Sequence, residues 1–105
     1  METVVLGGKS LTLDADGNLA NRNDWTEEVA RDIAATEGIS ELTPQHWAVI
    51  KFMRSVFEKE GDSPSIRRLT KESGVDTKAL YQLFPKGPAK KAARIAGLPK
   101  PKGCI

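Results

Sequence analysis

Three proline-bearing dipeptides, Thr43-Pro44, Ser63-Pro64 and Gly87-Pro88, decide how this chain can be divided. Proline lacks a backbone N–H and its ring clashes with the preceding turn, so a helix can begin at proline but not run through it. A threonine or serine just before it offers a side-chain oxygen to the unpaired N–H groups of the first turn. The chain is thereby cut into short helices. One runs from Pro44 to about Glu60, with Trp47, Ile50, Val56 and Phe57 in its buried stripe, and breaks at Gly61-Asp62. The next covers about Pro64–Ser73, with Ile66 and Leu69 inward and Gly74 as its stop. Asp76 caps a short helix, Thr77–Phe84, carrying Leu80, Tyr81, Leu83 and Phe84, and Pro88 opens a last one to about Ala96.

Ahead of these, Thr3–Leu6 and Ser10–Leu13 alternate in polarity around Gly7-Gly8-Lys9, which reads as a β-hairpin. Asp14-Ala15-Asp16-Gly17-Asn18 is a turn by composition. Asn23 or Asp24 is expected to cap a first helix reaching Glu37, with Trp25, Val29, Ile33 and Ala34 on one face and Gly38 as its stop. The expected fold is α+β but mainly α: an N-terminal hairpin on a five-helix orthogonal bundle. Residues 1–96 form the domain, with hairpin and turn in 1–18 and helices in 23–96.

Residues 97–105 read differently. Gly97-Leu98-Pro99-Lys100-Pro101-Lys102-Gly103-Cys104-Ile105 cannot continue a helix, because two prolines and two glycines interrupt it. Nine residues span up to roughly 30 Å when extended. The sole cysteine, Cys104, is thus expected on a mobile arm that reaches beyond its own domain.

Composition narrows the chemistry. With 39% hydrophobic and 29% charged residues the chain belongs among ordinary globular domains. It has no run of the ~20 apolar residues a membrane span needs. No signal peptide is visible either, so a cytoplasmic, reducing setting is expected. One cysteine and one histidine, His46, cannot furnish the usual four-ligand zinc set. Gly7-Gly8-Lys9 is too short for a phosphate-cradling loop, and neither cofactor nor metal is called for. The net charge of +2 hides a division. Residues 1–62 hold 6 Lys/Arg against 12 Asp/Glu, a net of −6, while residues 63–105 hold 10 against 2, a net of +8. The basic half can steer association with RNA, DNA or an acidic protein surface without choosing among them.

Two constellations could use that charge. Ser65–Phe84 has the outline of a helix-turn-helix, with Thr77–Gln82 as the groove-facing helix and Arg67, Arg68 and Lys71 toward phosphates. Only Lys78 and Gln82 could reach base edges, and the same two helices could pack so without touching DNA. The other constellation is the thiol. A thiolate is the nucleophile and sulfur acceptor, and Lys100, Lys102 and Arg94 are near it in sequence. His46 lies far away on a helix, so no catalytic dyad is suggested and His46 reads as a hydrogen-bonded boundary residue. Trp25 and Trp47 read as core or arm-docking residues. Lys86, Lys90, Lys91 and Arg94 read as a patch that docks an acidic partner surface.

Leu83-Phe84-Pro85-Lys86-Gly87-Pro88-Ala89-Lys90, then Ile95-Ala96-Gly97-Leu98-Pro99-Lys100-Pro101, then Cys104-Ile105, resemble the C-terminal signature of the DsrC/TusE family of small sulfur-handling proteins. Asp24-Trp25, Gly38-Ile39-Ser40, His46-Trp47 and Tyr81 also fall where that family has similar residues, so the resemblance spans the chain. It implies that Cys104 receives sulfane sulfur as a persulfide and hands it on. The chain would then be a sulfurtransferase only in the sense of a carrier. Lys86, Lys90, Arg94, Gly97, Leu98, Pro99, Lys100, Pro101 and Gly103 would serve arm and partner docking. The implied partners are an upstream sulfur donor and a downstream acceptor enzyme, met by a monomer. In TusE-type members the pathway leads to 2-thiouridine in tRNA; in DsrC-type members the arm enters sulfite reductase and a second arm cysteine takes part. That cysteine would fall eleven residues before Cys104, where this chain has Ala93. No disulfide or trisulfide can form within the chain, which favours the TusE-like reading. The short Glu72–Asp76 connection instead resembles the DsrC of sulfite reducers, leaving a DsrC paralogue and a nucleic-acid-binding regulator as alternatives.

Overall fold

The computed structural model describes residues 2–64, 66–85 and 87–99, without the side chain of Ile66. Strands β1 (Glu2–Leu6) and β2 (Lys9–Leu13) pair antiparallel, from Leu6 opposite Lys9 to Glu2 opposite Leu13. Gly7 and Gly8 have φ of 57° and 78°, the double left-handed geometry of a tight two-residue hairpin turn. Lys9 was expected in the turn but belongs to β2. Leu11 and Leu13 face the core, whereas Val5, on the opposite face, is 72% exposed.

The chain next makes a 3₁₀ turn at Arg22–Asp24 and then α1 (Glu27–Thr36). This corrects the expected first helix. Asn21 caps the short turn and Thr26, accepting from the Val29 N–H, caps α1, so Trp25 lies between the two in extended backbone. Residues distant in sequence hold the indole there, and no local pattern could announce them. The hairpin rests on α1: the Gly7 N–H donates to Asp32 at 2.6 Å.

Helix α2 (Pro44–Glu60) has the expected bounds. Thr43 accepts from the His46 N–H, His46 accepts back from the Thr43 N–H, and Gly61 ends the helix at φ 77°. Then follow α3 (Ile66–Glu72), α4 (Thr77–Leu83), capped by Asp76, and α5 (Pro88–Ile95). A hairpin on five helices is therefore the observed architecture. Helix α5 sits at its centre and touches each of the other four helices. Alanines at 89, 92 and 93 allow this approach, and the residues around them, including Ile33, Ile50, Met53, Leu69, Leu80, Phe84 and Ile95, are at most 1% exposed.

Candidate functional site

The end of α5 is where the domain meets the segment leading to Cys104, and its backbone is accounted for atom by atom. A helix leaves its last four carbonyls without partners. Here Ala96 N–H returns to Ala92, Gly97 N–H to Arg94 and Leu98 N–H to Ala93. These are the paired bonds of a Schellman stop, with Gly97 supplying the left-handed residue at φ 73°. The carbonyls beyond are taken by side chains from four other places. Trp25 Nε1 donates to Ile95 at 2.8 Å, Arg54 Nη1 to Ala96 at 2.6 Å, Asn18 Nδ2 to Leu98 at 2.7 Å and Ser63 Oγ to Pro99 at 3.0 Å.

Arg54 also lies 4.1 Å above the Trp25 ring. Burial lowers its pKa from the ordinary arginine value, with Glu58 opposing that shift and Arg22 adding to it. A guanidinium is not discharged by such a shift. The indole in turn closes on Gly97, where a β-carbon would lie 2.6 Å from Trp25 Cδ1. Gly97 and Leu98 are buried and Pro99 is exposed. The arm was expected to leave the domain at Gly97; instead the first three of its nine residues are fixed to the bundle. Trp25 was expected in the core or at the arm, whereas Asn18, Arg54 and Ser63 were missed. Ser63 read only as a helix cap and Asn18 as a turn residue, and Arg54 was not singled out. No sequence signal tied them to the arm.

Cys104, Lys86, Lys100, Pro101 and Gly103 lie outside the described residues. Of the basic patch, Lys90 is exposed, but Arg94 is committed within the domain. Its Nε donates to the Gly17 carbonyl at 2.8 Å, and its Nη1 reaches Thr36 at 3.1 Å and pairs with Glu37. Lys91 meets the same carboxylate at 3.6 Å. Arg94 was expected to face a partner; it pins the turn after β2 to the end of α1. A cleft of about 430 Å³ opens beside it, lined by Asp16, Gly17, Asn18, Glu37, Lys90, Lys91 and Arg94. Ala93, where a second cysteine would stand, is fully buried.

Trp47 packs against the core and lines a separate cleft of about 310 Å³ with Arg31, whose guanidinium lies 5.4 Å from its ring. His46 is buried: Nδ1 accepts from the Thr43 N–H at 3.0 Å, and Nε2 lies 2.8 Å from the Leu83 carbonyl. That network needs the neutral Nε2–H tautomer and leaves no lone pair for proton abstraction. In the α3–α4 pair, Arg67, Lys71, Lys78 and Gln82 are exposed. Arg68 is bound to both Glu60 and Glu72, which raises its pKa. Among the described residues no helix is long and apolar enough to cross a membrane.

A family model described as DsrC like protein matches residues 5–105. The chain belongs to the DsrC-like family. It is 42% identical to the dissimilatory-type sulfite reductase subunit gamma of Nitratidesulfovibrio vulgaris across the whole of both chains. It is 44% identical to sulfurtransferase TusE of Escherichia coli, covering 97% of this chain and 99% of that one. The NMR structure of Allochromatium vinosum DsrC superposes with a TM-score of 0.85 at 42% identity, covering 99% of this chain and 98% of that one. Hairpin and helices are thus this family's fold.

Proposed function

We propose that the protein is a sulfur-relay carrier in which Cys104 is the sulfur-bearing atom, acting between a donor protein and an acceptor enzyme. The observation that carries this reading is a lone thiol five residues beyond the anchored Pro99, in a chain with TusE- and DsrC-named relatives over its full length. The Cys104 thiolate attacks the terminal sulfur of a donor cysteine persulfide. One S–S bond forms as another breaks, and the donor leaves as a thiolate. An acceptor thiolate then attacks the outer sulfur of Cys104–S–SH and restores Cys104. Sulfur moves with its oxidation state unchanged, so no oxidant or reductant is consumed. No group in the domain need act as a base, in keeping with the engaged ring of His46.

Among the family's two activities the TusE-like one, in tRNA thiolation, fits better. An alanine at position 93 removes the second thiol that an intramolecular disulfide or trisulfide would require. The carrier is then discharged by its acceptor's cysteine alone. Incubation with a persulfide donor, followed by intact-mass measurement, should show one added sulfur on the wild type and none on Cys104→Ala. Sulfur gained by Cys104→Ala, or none gained by the wild type from any donor persulfide, would overturn the reading. Salt-sensitive DNA binding as the only activity would shift attention to α3 and α4.

A further inference from the structure

The carbonyls of Ile95 and Ala96 belong to a helix end packed in the core, and capping them is what burial demands. The Pro99 carbonyl is a different matter. Pro99 is exposed, so water could serve its oxygen, yet the hydroxyl of Ser63, itself only 8% exposed, is directed at it. One residue earlier, the amide of Asn18, 2% exposed, comes from 80 positions away to hold the Leu98 carbonyl. The donors stand on unrelated segments, the turn after β2 and the connection between α2 and α3. Two bonds from independent supports define both a point and a direction for the backbone that leaves them.

We infer that Asn18 and Ser63 are positioning residues for sulfur delivery, which fix Pro99 as the point from which the segment bearing Cys104 departs. This rests on the carrier role proposed for Cys104. Five residue steps separate Pro99 from Cys104, so the Cα of Cys104 cannot lie farther than about 18 Å from that of Pro99. With both bonds removed Leu98 stays held by its buried side chain and its N–H bond to Ala93, so the tether would start there, six steps away. The effective concentration of a tethered group falls with about the three-halves power of tether length, which here is about a 1.3-fold loss. The launch direction would be lost as well.

The single cysteine allows a direct test. A nitroxide on Cys104 broadens the amide NMR signals of the ¹⁵N-labelled protein according to distance. In the wild type the broadening should centre on the surface around Pro99. In Ser63→Ala, and more so in Asn18→Ala/Ser63→Ala, it should spread to amides that the wild type leaves sharp, with the α1–α4 chemical shifts retained. Sulfur transfer from loaded protein to an acceptor protein's cysteine should slow about 1.3-fold in the double variant, while alkylation of Cys104 by iodoacetamide keeps its rate. Inserting a single Gly between Pro99 and Lys100 leaves both bonds in place but also makes six steps, and should cost the same factor. Ser63→Ala alone suffices if the change at buried Asn18 impairs folding. An unchanged broadening map in the folded variants would overturn the positioning role, since a merely stabilising pair of bonds would leave the map intact. A wild type that takes up no sulfur would instead defeat the carrier reading without altering the NMR result.

Discussion

Replacing Gly97 by alanine measures how firmly the end of α5 is gripped, because two separable costs fall on one methyl group. Gly97 has φ +73°, where an L side chain costs about 1–2 kcal/mol. The added carbon would also lie 2.6 Å from Trp25 Cδ1, 2.9 Å from its Cβ and 3.0 Å from its Cγ, so the indole must move. Movement breaks the bond to the Ile95 carbonyl, about 1 kcal/mol net, and disturbs the Arg54 stack, about 0.5–1 kcal/mol. The total is about 3 kcal/mol, which for a domain near this size lowers Tm by roughly 12–24 °C. Gly38 provides a matched control at the end of α1. Its N–H bonds to Ala35 and that of Ile39 to Ala34, its φ is +83°, and a β-carbon there meets nothing within 4 Å. Gly38→Ala should therefore lose only the backbone share, about 1–2 kcal/mol. Urea unfolding followed by circular dichroism gives both values, and their difference is the packing contribution of Trp25. Equal losses at the two glycines would refute the claim that the indole is locked against the chain.

Trp25→Phe keeps an aromatic face for Arg54 but removes the Nε1–H donor, and should cost about 1 kcal/mol in urea unfolding. Arg94→Ala abandons the Gly17 carbonyl and Glu37, and should cost about 1.5–3 kcal/mol without changing how much sulfur Cys104 accepts from a small persulfide, as read by intact mass. The Arg68 guanidinium lowers the Glu60 carboxyl pKa below its ordinary value. The unfolded chain therefore binds that proton first on acidification. The pair's contribution is present above about pH 4.5, the ordinary value, and is lost as pH falls through the folded one. Arg68→Met should move the Glu60 titration upward by carbon-detected NMR. Air oxidation should yield thiol-linked dimers, visible on non-reducing gels and absent from Cys104→Ala.

The bounds of α2, the hairpin and the starts of α4 and α5 were legible because their signals are local. A cap, a proline or a left-handed glycine acts on backbone within one turn of itself. Thr43-Pro44 and Gly61 predicted the observed span of α2, and the cap residue Asp76 and Pro88 likewise mark real helix starts. Where local signals compete, the reading failed. Asn23, Asp24 and Thr26 could each cap a helix, and the winner depends on Trp25, whose indole is claimed by a carbonyl 70 residues away.

The chemistry of the site divides the same way. That the sole thiol sits at Cys104 beyond a proline-broken stretch follows from residue order alone, since covalent connectivity sets the reach of a tether. That the backbone through Pro99 is held to the domain, that α5 with its lysines is the central helix, and that Arg94 turns inward to Glu37 were settled only by packing. Alanines gave α5 a buried face too weakly apolar to announce its place. The four donors at its end find their partners across 36 to 80 residues. A backbone carbonyl is the same group at every position, so residue order carries no mark of which one a distant asparagine, tryptophan, arginine or serine will hold.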